Sequence, residues 1–239
     1  LPLFLSCRAA VRAKTSATAA RLQADARRSD ELQALAREYL AMAEGLLIPQ
    51  VPCLIAIGGL SGTGKSTLAF GLAPSVGAVP GAVVIRSDEI RKRLCGVSPL
   101  DRLGPEGYSS EMSERVYATV RERARATIRQ GHSAIADAVY ARPADRLAIE
   151  NVAADMSVPF VGIWLEAPVA TLVTRAEQRQ HDPSDANADV IRLQHQQGTG
   201  AMTWHRVEAA RSPETVLEFA AEYVQEQVHQ ASNTAGHRH

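Results

Sequence analysis

A chain of 239 residues, 46% of them apolar, is long enough for one α/β domain of ordinary size with a well-buried core, plus an appendage. Its 26 basic and 26 acidic residues cancel, which removes the electrostatic reason to expect nucleic acid as the main partner. The three cysteines, Cys7, Cys53 and Cys95, lack C-x-x-C spacing and read as thiols of a reducing cytoplasm, and no apolar run approaches the roughly 18 residues of a membrane span.

In chain order, Leu1-Pro2-Leu3-Phe4-Leu5 is apolar, but no basic segment precedes it and Arg8 follows at once, so it does not read as a signal peptide. The first residue is Leu rather than Met, which suggests the tail of a longer polypeptide. Arg8, Arg12 and Lys14 sit among alanines in a first helical segment. A second is expected from Asp30 to Leu47, where Leu32, Leu35, Ala36, Tyr39, Leu40, Ala43, Leu46 and Leu47 recur at helical spacing behind Ser29 as cap. Gly45 and Ile48-Pro49 close it. Residues 1–49 therefore form a helical segment, 50–229 a nucleotide domain, and the polar tail of residues 230–239 reads as disordered.

The apolar run Val51 to Ile57 predicts a buried strand that breaks into Gly58-Gly59-Leu60-Ser61-Gly62-Thr63-Gly64-Lys65-Ser66-Thr67 and restarts as a helix to Leu72. Gly59 to Ser66 fits G-x-x-x-x-G-K-[ST], the Walker A phosphate-binding loop, in the strand-to-helix context that this motif needs. The backbone must turn without side chains in the way, and the new helix must direct its free N–H groups at the ligand. Lys65 supplies a cation for the β and γ phosphates of ATP, and the Ser66 hydroxyl is suited to Mg²⁺.

Beyond the loop, strands at Ala82–Arg86, Ser133–Val139, Pro159–Leu165 and Thr203–Val207 alternate with helices. The helices are expected at Asp88–Leu94, Ser110–Gln130, Ala144–Ala154, Pro168–Arg179, Ala186–Gln196 and Pro213–Val228. Five apolar strands separated by helices imply a parallel sheet covered on both faces, with the ligand beyond the carboxyl ends of the strands. Gly96 to Gly107 and His181 to Asp185 are polar breaks long enough to move. Asp88 follows the second strand and reaches the edge of the phosphate loop, although Ser87 or Asp88 would also cap the next helix. Asp137 ends the run Ala134-Ile135-Ala136, where a carboxylate can face Mg²⁺. Ala138 follows it, against a water-activating carboxylate. Arg175 and Arg179 share a helix face before Asp182-Pro183-Ser184-Asp185-Ala186 and suggest an arm that closes guanidinium groups onto phosphate. The histidines show no metal-ligand spacing.

Taken together, Gly-Gly-Leu-Ser-Gly-Thr-Gly-Lys-Ser-Thr, Ser87-Asp88-Glu89-Ile90-Arg91, Ala136-Asp137-Ala138-Val139-Tyr140 and Arg175-x-x-x-Arg179-x-x-Asp182-x-Ser184-Asp185-Ala186 resemble the small P-loop kinases grouped with gluconate kinase, zeta-toxin-like kinases and the polynucleotide 5′-kinase. The resemblance covers residues 51–228 and implies a P-loop NTPase sheet of order 2-3-1-4-5 with Asp137 beside the phosphate loop. It also implies Asp88 as base and Arg91 as an acceptor-binding arginine, and we add Tyr140 as a second acceptor-side residue. Glu89 in place of Asp, with no basic excess, argues against a nucleic-acid acceptor. The segment from Leu1 to Lys14 resembles the end of the aminoglycoside-phosphotransferase-like domain that precedes such kinases in bacterial fusion proteins.

The expectation is an ATP-dependent, Mg²⁺-requiring phosphotransferase of the cytoplasm, acting on a small hydroxylated acceptor. Lys65 and the loop from Gly59 to Thr67 would hold the phosphates, Ser66 and Asp137 the metal. Asp88 would take the hydroxyl proton, Arg91 and Tyr140 would contact the acceptor, and Arg175 with Arg179 would meet the transferred charge. A regulatory module that only senses ATP, or a nucleotide hydrolase, are the rival readings. A sensor has no need of Asp88 and the arm arginines, and a hydrolase is disfavoured by Ala138.

Overall fold

The computed structural model describes residues 1–98, 101–178 and 188–236. The chain divides into two compact units, Leu1–Gln50 with Ala78–Pro80, and Val51–Gly77 with Gly81–His239. The first unit is a helical hairpin of α1 (Pro2–Arg21) and α2 (Ala26–Gly45). Small residues at its seam, Ala9, Ala13, Ala20 and Ala43, are buried, and Ser6 Oγ donates to the Ala43 carbonyl at 2.8 Å. The cap of α2 is Asp25, whose carboxylate accepts from the Arg27 and Arg28 amides. Ser29, the expected cap, lies inside the helix and donates back to Ala20 O at 3.0 Å. Aspartate caps at least as well as serine, and the earlier start satisfies one more turn.

The second unit is built on five parallel strands, β1 (Leu54–Gly59), β2 (Val83–Arg86), β3 (Ala134–Asp137), β4 (Phe160–Glu166) and β5 (His205–Glu208), in the order β2-β3-β1-β4-β5. The helices between them are α3 (Lys65–Leu72), α4 (Ser87–Leu94), α5 (Ser110–Arg129), α6 (Pro143–Asp155), α7 (Val169–Glu177) and α8 (Ala188–Gln197), and α9 (Pro213–Gly236) follows β5. Successive side chains of β1 enter opposite cores. Leu54 and Ala56 join α5, α6, Tyr140 and Trp204, while Ile55 and Ile57 join α3 and α9. That is the period of a central strand covered on both faces.

Element boundaries differ from the sequence expectation where polar bonding intervenes. β1 starts at Leu54 rather than Val51, because Pro52 has no N–H to donate and the Cys53 amide is taken by Ser133 Oγ at 3.1 Å. β5 starts two residues late because Trp204 turns its indole inward and donates to Glu150 Oε1 at 2.6 Å. α9 continues to Gly236, through residues that we read as a disordered tail. From Gln230 to Ala235 the sequence contains neither Gly nor Pro, so a helix already nucleated costs little to extend.

The break from Gly96 to Gly107 is tied down at two described points. Lys92 Nζ donates to Asp101 O at 2.6 Å and Arg91 Nη1 to Gly107 O at 2.7 Å, and Pro105–Tyr108 forms a 3₁₀ turn. Arg179 and the segment His181–Asp185 lie outside the described residues. Among the described residues, no helix is long and apolar enough to cross a membrane.

Candidate active site

The loop leaves β1 at the carboxyl edge of the sheet, where the Gly59 amide donates to Val139 O at 3.1 Å. Gly62 has φ +93°, and a Cβ there would lie 2.7 Å from the carbonyl oxygen of Leu172 in α7. Gly64, at φ +89°, is the left-handed N-cap of α3, which therefore starts with no side chain competing for its first amides. Thr63 Oγ1 donates to Leu60 O at 2.8 Å and Lys65 Nζ to the same carbonyl at 3.1 Å, which folds the loop over itself. Free helix N–H groups beside a lysine form a concave anion site.

Ser66 Oγ donates to Asp137 Oδ2 at 2.6 Å. The two meet because β3 pairs with β1 in the register Ile57↔Asp137, which sets the end of β3 beside the loop. Asp137 is buried, and Arg86, its partner in the β2–β3 register, brings Nε to 3.5 Å from the same Oδ2 while Nη1 bonds Glu89 at 3.1 Å. A carboxylate and a hydroxyl form an all-oxygen pair of the kind a hard divalent cation takes, with its other positions left to water and phosphate. Among the described residues, no cluster of three His, Cys, Asp or Glu side chains forms a closed metal cage.

Asp88 stands on the first turn of α4 and lines a cavity of about 400 Å³ together with Ser61 to Leu68, Arg175, Ala209, Arg211, Pro213 and Val216. The N-cap position is Arg86, and no side chain caps α4, so Asp88 is not spent on that task. Its carboxyl has no hydrogen-bond or ion-pair partner among the described residues. The residue as a whole is half-buried, yet its carboxyl is recessed in the cleft. Burial raises its pKa, and the negative charge of Asp137 adds to the rise against the opposing pull of Lys65, Arg86 and Arg91.

Other expected residues are used differently. Arg175 is on the cavity wall, but Nη1 already donates to Ala209 O at 2.7 Å, anchoring α7 to the chain beyond β5. Arg91 is buried and holds Gly107 O, Ser113 Oγ at 3.3 Å and the face of Tyr108 at 5.0 Å, so it braces the entry to α5 rather than lying open to an acceptor.

Tyr140 departs furthest from expectation. It is 1% exposed, with its ring edge-on to Tyr117 and Trp204 at centroid distances of 5.5 and 5.1 Å, and its backbone is left-handed at φ +50°. The side chain is therefore part of the core, not of an acceptor pocket. Its hydroxyl lacks a hydrogen-bond partner among the described residues, and burial pushes its pKa well above the usual phenol value. Tyr140→Phe removes an unsatisfied buried hydroxyl, so melting should show stability unchanged or raised by up to about 1–3 kcal/mol. A weakened acceptor KM in that variant would restore the acceptor-side role.

Three residues at or behind the site were missed. Arg86 had a signal, a cation ending the apolar run Val83-Val84-Ile85 just before Ser87-Asp88. Gln194 on α8 had none: its Oε1 accepts from the Ser61 amide at 3.1 Å across 133 residues of sequence. Arg146 on α6 is 2% exposed and reads in sequence as an ordinary helix-surface charge.

Comparison with known proteins agrees with this architecture. An uncharacterized protein of Mycobacterium tuberculosis is 32% identical over 211 residues, covering 87% of this chain and 41% of that protein. The adenylyl-sulfate kinase of Myxococcus xanthus is 30% identical over 118 residues, 49% of this chain and 59% of the kinase. The chain thus spans about two fifths of the mycobacterial relative's length. Among solved structures, a gluconokinase from Sinorhizobium meliloti aligns at 17% identity with a TM-score of 0.55, covering 80% of this chain and 99% of its own. The Mycobacterium tuberculosis APS kinase in complex with AMPPNP and APS aligns at 18% with a TM-score of 0.51, covering 74% and 98%. These likenesses show a shared fold, the five-stranded P-loop kinase architecture of order 2-3-1-4-5. Residues 54–200, which contain the phosphate loop, Asp88 and Asp137, match the AAA_33 model, described as AAA domain, and the chain belongs to that family.

Proposed function

We propose that the chain is an ATP-dependent phosphotransferase that moves the γ-phosphoryl group to a hydroxyl of a small acceptor. The observation that carries this reading is the carboxyl of Asp88, uncommitted to any cap and sharing one cavity with Lys65 and the loop amides. In this reading Lys65 and the amides from Gly62 to Thr67 bind the phosphates, and Ala209, Pro213 and Val216 offer the base an apolar wall. Ser66 and Asp137 would hold Mg²⁺, which supplies charge neutralisation for the phosphate oxygens when bound.

Asp88 accepts the proton of the acceptor hydroxyl as its oxygen bonds to the γ phosphorus. The bond from that phosphorus to the bridging oxygen breaks, and ADP leaves. Arg175 meets the charge that develops on the transferred group. Arg91 acts one step back, by bracing Gly107 and Ser113. Kinase chemistry in the similar adenylyl-sulfate kinase supports the assignment of class, not of acceptor. Asp88 weighs against a pure sensor, which needs no base, and Ala138 after Asp137 weighs against a hydrolase.

The deciding experiment mixes protein, Mg²⁺ and ATP with sugars, sugar acids, aminoglycosides, nucleosides and adenylyl sulfate, and follows ADP. Acceptor-dependent release is expected for one class. Tight ATP binding with no release above the acceptor-free rate would favour the sensor. Lys65→Ala is expected to weaken ATP binding by roughly 10- to 100-fold in calorimetry, the worth of a charged hydrogen bond to phosphate. Unchanged affinity would remove the phosphate-loop assignment.

A further inference from the structure

Arg146 is taken almost wholly out of water, and among the described residues its guanidinium makes no ion pair. It donates instead to four carbonyls. Nη1 bonds Tyr140 O at 2.7 Å and Ala141 O at 2.8 Å, and Nη2 bonds Thr199 O at 2.8 Å and Ala201 O at 2.7 Å. A buried charge is costly unless its hydrogens are met, and a methionine of similar length would fill the same space without that cost. What the planar fork adds is span, because two parallel pairs of donors join two chain segments at a fixed separation.

Each segment adjoins a contact with the phosphate loop, the first through Val139 O, which accepts from the Gly59 amide at 3.1 Å, and the second through Gln194. Tyr140 and Ala141 lie three and four residues after Asp137, and Tyr140 is the left-handed residue, its amide donating to Tyr117 Oη at 3.1 Å and its carbonyl held by Arg146. Thr199 and Ala201 lie in the connection from α8 to β5, immediately after the helix that rests Gln194 on the Ser61 amide. Hydrogen bonds, together with the short stretch of backbone between Thr199 and α8, therefore link the loop after β3 through Arg146 and Gln194 to the phosphate loop.

We propose that Arg146 is a positioning residue that fixes α8 against the loop after β3, so that Gln194 stays on Ser61 and the two contacts with the phosphate loop keep one register. Its consequence for catalysis rests on the function proposed above; its mechanical content does not. The test is hydrogen–deuterium exchange on the whole ligand-free chain, comparing wild type with Arg146→Lys and Gln194→Met. Lysine keeps the charge but cannot span both pairs of carbonyls. Exchange is expected to rise about tenfold in residues 188–201 and also in the loop 59–64, a rise worth about one net hydrogen bond, while α3 and α9 stay protected.

Gln194→Met leaves Arg146 intact and keeps the test alive should Arg146→Lys fold poorly. Because coupling is reciprocal, it should loosen 59–64 and 188–197 together. For the nucleotide analogue AMPPNP with Mg²⁺, each single variant should lose roughly three- to tenfold in affinity, and the double variant no more than the weaker single, since both act along one line. Three results would overturn the proposal: loosening in Arg146→Lys confined to 140–142 and 199–201, loosening in Gln194→Met confined to 59–64, or affinity losses that multiply. Failure of the wild type to bind AMPPNP would instead remove the phosphotransferase reading, and the exchange experiment would still decide the role of Arg146.

Discussion

Asp88→Asn is expected to cut acceptor-dependent turnover by roughly 10² to 10⁴, the usual worth of a positioned general base, while ATP affinity holds. Asparagine keeps the shape of the side chain and removes only its basicity. A loose, metaphosphate-like transition state asks less of a base, so a loss near the lower bound fits as well. The stability of the variant gives an independent check. Burial, and then the charge of Asp137, raise the folded-state pKa of Asp88, so the native protein holds this proton more tightly than the unfolded chain does. Between the unfolded and folded pKa values stability therefore falls as pH rises, and above the folded value the full cost of the ionised carboxylate is present. Asp88→Asn removes that cost. It should melt at or above the wild-type temperature at neutral pH, and the difference should vanish in acid, where both states of Asp88 are protonated. Wild-type turnover in the variant would sink the base assignment, and a lower melting temperature would mean that the carboxylate carries structure.

Gly62→Ala should be strongly damaging to the phosphate loop. At φ +93° an L side chain is strained, and the added Cβ would lie 2.7 Å from Leu172 O and 3.1 Å from Leu172 Cα, both backbone atoms that no rotamer change can move. Strain and clash together should cost about 2–4 kcal/mol, lowering the melting temperature by roughly 4 to 16 °C for a domain of this size. Gly64→Ala separates the two causes. Its φ of +89° is as strained, but nothing lies within 4 Å of the added carbon, so only the conformational cost of about 1–2 kcal/mol applies. Equal losses in the two variants would show that the approach of α7 to the loop plays no part.

Sequence alone was informative where the chemistry is local. The phosphate loop is contiguous, so the glycines, Lys65 and Ser66 declare themselves by spacing, and Asp137 is found because a carboxylate ending an apolar strand has few other uses. Asp88 was ambiguous between cap and base. What sets the cap aside is the start of α4 at Ser87, a boundary that moves by a residue or two on propensity alone. Tyr140 was misjudged because aromatic residues at strand ends serve core and pocket equally in sequence, and only packing against Trp204, 64 positions on, distinguishes them. Gln194 and Arg146 were invisible for a related reason. Their partners are backbone amides and carbonyls, which every residue carries, so no pattern of side chains marks the pairing.

The strand order bears on how the two flanks of the sheet could be exchanged. With β1 in the centre, the chain builds one flank completely, from β2 through α6, before β4 and β5 begin the other. Asp88, Arg91 and Asp137 therefore belong to one uninterrupted stretch, and Arg175, Ala209 and Val216 to the next, with the short connection from Ser157 to Pro159 between them. A single recombination event in that connection would exchange one flank whole and leave the other intact. The phosphate loop is the shared pivot of such an exchange, and Arg146, bridging both flanks, is the joint that any such hybrid must still satisfy.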